Sequence, residues 1–246
     1  MICKLCLQEK PLLKKSHIAP NFLYKELRDE KNTFVKGRLS DKKAKTVQSG
    51  FYESNLFCKE CDNEILSKLE NYASKILYGG NIKGLTLRGE RNQDGLESIV
   101  CEGVDYTKFK LFLISLLWRF SILTDEFYSS VKLGEHEEIM RKMILNSDAG
   151  DALDYPCTIT SYRKHTDLPI EIISQPLEHK HDGCICYSFL ICGFLYVFYI
   201  TRDLIPDFVP ELAITAEGQQ RVVQIPRDAA VKLIRKYMAL PVEGLS

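Results

Sequence analysis

The sequence has 246 residues, of which 45% are hydrophobic and 27% are charged. This composition excludes fibrous, low-complexity and largely disordered chains, because it supplies enough apolar material to offset the entropy lost on folding. The 33 basic and 33 acidic residues cancel overall, but residues 1–62 hold 13 Lys and Arg against 8 Asp and Glu. The N-terminal quarter is therefore the part that suits an acidic partner such as a nucleic acid.

Nine cysteines are the most informative feature of the composition, and four of them form two CxxC pairs: Cys3 with Cys6, and Cys58 with Cys61. An odd count, together with a lysine at position 4 where a secretory leader would be apolar, predicts a reducing, cytoplasmic environment. Two CxxC turns predict a structural zinc site of four thiolates with no open coordination position. The alternative is redox-active or unrelated cysteines, although a redox motif needs only one such pair.

In chain order, apolar residues recur at helical spacing from Asn63, which predicts a helix that ends at Gly79-Gly80. Loops and short strands are expected over 81–104. Asp105 is the expected N-cap of a long apolar helix that lies in the core, and a second helix, beginning acidic, is expected from Gly134 to 147. These patterns predict a helical middle for the chain.

Beyond residue 154 the pattern alternates as in strands, over PCTITSY, IEIISQP, ELAITAE and RVVQIP, and Asp228 is the expected cap of a last helix. Residues 183–201 form an uncharged run of 19, which is long enough for a membrane span. Its aromatic and β-branched composition, with Gly193 near the middle, favours a buried hairpin turning at Cys192-Gly193. The prediction is an α+β protein with an N-terminal zinc module over 1–78, followed over 79–246 by the helical middle and an antiparallel β segment closed by a C-terminal helix.

Three short segments carry a resemblance to a known family. We call the two CxxC pairs the first and second knuckle. Ser16-His17-Ile18-Ala19-Pro20 lies between the two knuckles, Asn55-Leu56 precedes the second knuckle, and Asp62-Asn63 follows it. With the two CxxC pairs, this pattern resembles the zinc-stapled HNH nucleases of the ββα-metal, treble-clef type. The similarity covers about residues 1–75, and the downstream pattern of Phe109–Phe112 with Trp118-Arg119 is similar to uncharacterised bacterial HNH-like proteins.

The resemblance implies a role for each matching residue. His17 falls at the general base that activates water, and Asn55 at the residue that orients the loop holding that base. Asp62 occupies the position where the family usually has a histidine that ligates the catalytic metal, and Ser16 stands where it has Asp or His. Both departures put the catalytic metal site in question, although a carboxylate is a chemically acceptable ligand for Mg²⁺.

The implied function is a metal-dependent endonuclease acting on DNA, with Mg²⁺ or Mn²⁺ at the catalytic site beside the structural zinc. Some relatives of HNH enzymes act in restriction and anti-phage defence. A neutral imidazole can take a proton from the attacking water, and a divalent ion can stabilise the leaving oxygen. The alternative for His17 is a ring that bonds to backbone at the end of a strand.

Lysines beside the motif are the expected contacts to nucleic-acid phosphates: Lys14 and Lys15 next to the base, and Lys42 and Lys43 within the basic stretch 31–45. That stretch is equally consistent with a solvated polar loop. A second function also fits the sequence, namely a non-catalytic zinc module that binds nucleic acid or a protein partner. The long apolar helix suits either the core of a monomer or the interface of a homodimer.

Overall fold

A computed structural model of the chain describes residues 1–17, 20, 22–23, 34–37, 45–47, 52–124, 130–170 and 172–238, without the side chains of residues 17, 34–37, 45–47 and 52. The described strands are β1 (Ser16–His17), β2 (Phe34–Gly37), β3 (Lys45–Val47), β4 (Tyr52–Glu53), β5 (Thr86–Arg91), β6 (Glu97–Glu102), β7 (Cys157–Ser161), β8 (Ile172–Ser174), β9 (Leu177–His181), β10 (Cys184–Ile191), β11 (Phe194–Tyr199) and β12 (Gln220–Gln224). The helices are a π-helical turn (Cys61–Leu66), α1 (Ser67–Tyr78), α2 (Tyr106–Ser121), α3 (Glu135–Asn146), a 3₁₀ turn (Arg202–Leu204), α4 (Val209–Leu212) and α5 (Arg227–Met238).

Ten of these strands form one mixed sheet in the order β3-β2-β8-β10-β11-β7-β12-β6-β5, with β9 also paired to β10. Most neighbours are antiparallel, whereas the pairs β2–β8 and β7–β12 are parallel. The remaining two strands, β1 and β4, pair with each other outside this sheet. The predicted α+β class is therefore confirmed at the level of a mixed fold with a mostly antiparallel sheet.

The uncharged run over 183–201 forms the predicted hairpin of β10 and β11. Cys192 and Gly193 make its turn with φ of 51° and 78°, the left-handed pair that matches the twist of the flanking strands. Alternate residues of β10 face opposite sides, so that Phe189 packs in the main core and Leu190 packs with α5. Among the described residues, no helix combines the length and apolar character needed to cross a bilayer.

The central helix α2 is confirmed as a core helix, since every side chain from Phe109 to Phe120 is buried. The Asp105 carboxylate caps it by accepting from the Lys108 backbone N–H at 3.0 Å. The main hydrophobic cluster joins residues from Cys3 to Val222 and packs α1 and α2 on one sheet face, whereas α5 covers the other face. The expected cap at Asp228 is wrong, because α5 begins at Arg227 and Asp228 lies in its first turn. The domain division at 78/79 stays a prediction.

The strand predicted over ELAITAE is wrong. The chain instead forms the short helix α4 with Pro210 in its first turn, where proline is well tolerated because its missing N–H is not needed. The chain then turns at Gly218, whose φ is 81° and whose N–H donates to the Thr215 carbonyl at 3.0 Å. An alternating pattern of apolar residues did not distinguish this helix and turn from a strand.

Candidate metal centre

The two CxxC knuckles meet in space although 51 residues separate them. The first is a turn at the start of the chain, and the second leads into the π-helical turn. One Sγ atom from each of Cys3, Cys6, Cys58 and Cys61 lies within 4.8 Å of every other, and the Cys6 and Cys58 sulfurs are 4.0 Å apart. Tetrahedral zinc with bonds of about 2.3 Å places its sulfurs roughly 3.8 Å apart, so these donors fit a zinc ion.

Backbone contacts hold the knuckles together. The Lys4 N–H donates to the Leu56 carbonyl at 2.9 Å, and the Cys58 N–H points at the Cys3 sulfur at 3.4 Å. Leu7 closes the first turn with a φ of 56°, which is uncommon for a branched residue. Its N–H donates to the Cys3 carbonyl at 2.9 Å, so the unusual backbone angle accompanies closure of the turn around sulfur.

The thiols differ in acidity. Burial raises the pKa of Cys3, but hydrogen bonds from the backbone of Cys6, Cys58 and Leu5 outweigh it and lower the value to about 7. Burial raises the pKa values of Cys58 and Cys61. Of these three thiols, Cys3 therefore gives up its proton most readily when a metal binds.

Two cations offset the negative charge of the cluster. Lys10 lies 3.7 Å from Glu60, and the Coulombic attraction of that carboxylate and of the nearby thiols raises its pKa. Arg141 of α3 is buried and donates to the Leu5 carbonyl inside the first knuckle. A second interaction fixes it, because its guanidinium also forms two bonds to Glu138, at 2.6 and 2.8 Å. A zinc ion with four thiolates carries a net charge of −2, which these cations complement.

The predicted catalytic positions lie on β1, between β4 and the second knuckle, and in the π-helical turn. His17 lies on β1, paired with Tyr52 of β4, and the described residues do not include its side chain. Asn55 is exposed, with a φ of 63°, and its N–H donates to the Leu13 carbonyl at 3.0 Å. Asp62 lies in the π-helical turn directly after Cys61. Ser16 is fully buried, and its Oγ has no hydrogen-bond partner within the described part of the chain.

Asp62 has charged neighbours that sequence reasoning did not connect to it. Burial and the carboxylate of Glu70 raise the pKa of Asp62, and the guanidinium of Arg119 acts in the opposite direction. Arg119 is 1% exposed on α2 and bonds to Glu70 at 2.6 Å. The sequence signal for this contact was Arg119 itself, an arginine in an otherwise apolar helix segment. A charge buried in such a helix requires a partner.

The oxygen donors at these positions are chemically suited to a divalent ion. A carboxylate at Asp62 and an unpartnered hydroxyl at Ser16 are hard donors, as Mg²⁺ and Mn²⁺ prefer. Within the described part of the chain, the four cysteines are the one group of His, Cys, Asp and Glu residues close enough to hold an ion together.

The predicted phosphate contacts are divided between described and undescribed positions. Lys14 and Lys15 are exposed immediately before β1. Lys42 and Lys43 lie outside the described residues, as does most of the basic stretch 31–45. Lys14 and Lys15 are therefore the two predicted contacts that the structure places on the surface beside His17.

Comparison with known proteins finds no matching family model, no matching curated protein and no matching solved structure.

Proposed function

We propose that the chain is a metal-dependent, HNH-like endonuclease that hydrolyses phosphodiester bonds in DNA. The observation that carries this proposal is the order of elements around the four cysteines. β1, which holds His17, pairs antiparallel with β4, and the chain then passes through the second knuckle into a helix. Two paired strands followed by a helix, held by a metal, are what the resemblance to HNH nucleases implies for a catalytic module.

In this proposal His17 is the general base that takes a proton from the attacking water, as an imidazole can near neutral pH. Asn55 orients the loop that holds His17. Asp62, with Ser16 beside the base, would hold Mg²⁺ or Mn²⁺, which supplies stabilisation of the charge on the leaving oxygen. The π-helical turn that carries Asp62 is further support, because such turns occur frequently at functional sites.

DNA contacts in this proposal come from exposed lysines beside the catalytic position. Lys14 and Lys15 immediately precede β1, where a bound phosphate would lie near His17. Lys42 and Lys43 extend the contact along the backbone. Contacts of this kind position the strand without reading its sequence.

A nicking assay on supercoiled plasmid with Mg²⁺, Mn²⁺ or Ni²⁺ tests the proposal. We expect His17→Ala to lower the rate by about 100-fold or more, because a general base contributes that much or more. His181→Ala is the matched control, since that histidine is exposed on β9. Zinc content is measured in all three proteins and should be equal. Cleavage by His17→Ala at the wild-type rate would disprove the mechanism.

A second function is favoured by the surroundings of Asp62. Its neighbours Glu70 and Arg119 belong to the core between α1 and α2, so the carboxylate also has a structural use. A non-catalytic zinc module that binds nucleic acid would retain this arrangement. It would bind DNA equally with and without Mg²⁺ and cut it in neither case. The absence of cutting with every ion tested, with binding retained, would favour this function over the nuclease.

A further inference from the structure

A cavity of about 400 Å³ lies far along α1 from the cysteines, between the C-terminal end of that helix and the sheet. Its sheet wall includes Ile99, Val222 and Phe194, and its helical wall includes Ile76 and Phe109. The volume falls in the range of small-molecule sites, which are lined mostly by apolar and aromatic side chains with a few polar groups.

The charges around this cavity all have one sign. Lys75, Arg163 and Lys164 line it, and no acidic residue does so among the described residues. Two larger cavities are different: one includes Glu64 and Asp105, and the other includes Glu135, Asp148, Asp154 and Asp203. Glu97, outside the lining, accepts from Lys164 at 2.6 Å and so offsets part of this positive charge.

A buried amide in the lining is a second, independent observation. The side chain of Gln220 is fully buried, and its Nε2 donates at 2.8 Å to the carbonyls of both Leu212 and Arg221. These two bonds fix the orientation of the amide, because a flip would lose both. Among the described residues the Oε1 has no hydrogen-bond partner, which is rare for a buried acceptor.

We propose that this cavity binds a small amphipathic anion, with the apolar body between α1 and the sheet and the acidic group at Lys75, Arg163 and Lys164. Arg163 is already oriented for this, since its guanidinium donates to the Cys192 carbonyl at 2.8 Å and lies over the Tyr78 and Phe194 rings. This site is independent of the proposed nuclease activity and uses none of its residues.

Fluorescence titration with two matched probes tests the site. The probes are 8-anilinonaphthalene-1-sulfonate and N-phenyl-1-naphthylamine, which share their rings and differ in the sulfonate. We expect the sulfonate to bind one molecule per chain and the neutral probe to bind more weakly. Lys75→Glu should weaken sulfonate binding roughly fivefold and leave the neutral probe unchanged. Equal binding of the two probes by the wild-type protein would overturn the proposal.

Two further variants locate the binding. Lys232→Glu is the matched control, because it makes the same charge change at an exposed position of α5, on the opposite sheet face. It should leave sulfonate binding within about twofold of wild type, since it lies beyond direct contact with the cavity. Val222→Phe fills the cavity and should abolish binding of both probes. Equal weakening by Lys75→Glu and Lys232→Glu would show a nonspecific charge effect and overturn the assignment.

Competition identifies the ligand class. Decanoate should displace the bound sulfonate probe from the wild-type protein, and decanol at the same concentration should not, because only the carboxylate can pair with the cationic rim. Equal displacement by decanol, or none by decanoate, would contradict an amphipathic anion as the ligand.

Discussion

The two CxxC knuckles and the helix α2 belong to one hydrophobic cluster but differ in composition. At the first knuckle Met1, Ile2 and Leu7 are exposed, and of the four clustered cysteines Cys3, Cys58 and Cys61 are buried whereas Cys6 is partly buried. In α2, by contrast, twelve consecutive residues are buried among apolar neighbours. One region brings together four thiols that could hold a metal ion, whereas the other is held by removal of apolar surface from water.

The two regions are nevertheless joined by specific contacts. The Phe57 ring, next to Cys58, packs against Trp118 of α2 with centroids 5.9 Å apart. Arg119 reaches Glu70 of α1, and Arg141 of α3 reaches the first knuckle. Because these contacts come from elements that fold by apolar packing, we expect the helices to remain folded when the metal is removed.

The largest effect should follow loss of a zinc ligand. Cys58→Ser should abolish zinc binding, which in structural sites is worth about 10–16 kcal/mol at neutral pH. We expect backbone amides of residues 3–13 and 55–58 to lose protection from hydrogen exchange, while amides of α2 keep it. Hydrogen exchange with mass spectrometry and metal analysis measure both results.

Cys101→Ser is the matched control, since Cys101 is buried in β6 and is not part of the four-cysteine group. It should keep zinc and lose about 1–3 kcal/mol of stability through burial of an unpaired hydroxyl. Equal loss of protection in the knuckles and in α2 after Cys58→Ser would show that the two regions unfold as one.

An intermediate effect is expected at the ion pair between Arg119 of α2 and Glu70 of α1. Arg119→Leu leaves Glu70 beside Asp62 with no cation, and breaking a buried pair in this way costs about 3–5 kcal/mol. The double variant Arg119→Leu with Glu70→Leu should recover part of that loss, because neither position of the pair then carries a charge. Urea unfolding measures both. A double variant less stable than the single one would contradict this account.

The smallest loss of stability is expected at the turn between β10 and β11, which lies in the sheet. Gly193→Ala should cost about 1–2 kcal/mol, because φ is 78° and the added Cβ would lie 2.6 Å from Cγ of Arg163. Gly89→Ala on β5 is the control, since nothing lies within 4 Å of its added Cβ and its φ is not in the left-handed region. Thermal unfolding should distinguish the two, with zinc content unchanged in both. Equal stability of the two variants would show that the hairpin turn does not require glycine.

Local features of the fold could be predicted from the sequence. The Asp105 cap, the turn at Cys192-Gly193 and the two CxxC turns each depend on residues a few positions apart. The parallel pairing of β2 with β8 could not be predicted, because it joins residues more than 130 positions apart and depends on which sheet edge is free. The surroundings of Asp62 were missed for the same reason, since Glu70 and Arg119 are 49 residues apart in sequence.

The distance along the chain between partners also sets an order of assembly. All four thiols lie within the first 61 residues, so a growing chain exposes a complete set of metal ligands before most of the sheet has been synthesised. β2 cannot form its pairing with β8 until β8 has been synthesised, whereas β10 and β11 are joined by a turn of only two residues. The entropy cost of loop closure therefore favours rapid pairing of β10 with β11 once both strands have been synthesised. It favours late pairing of β2 with β8 at the sheet edge.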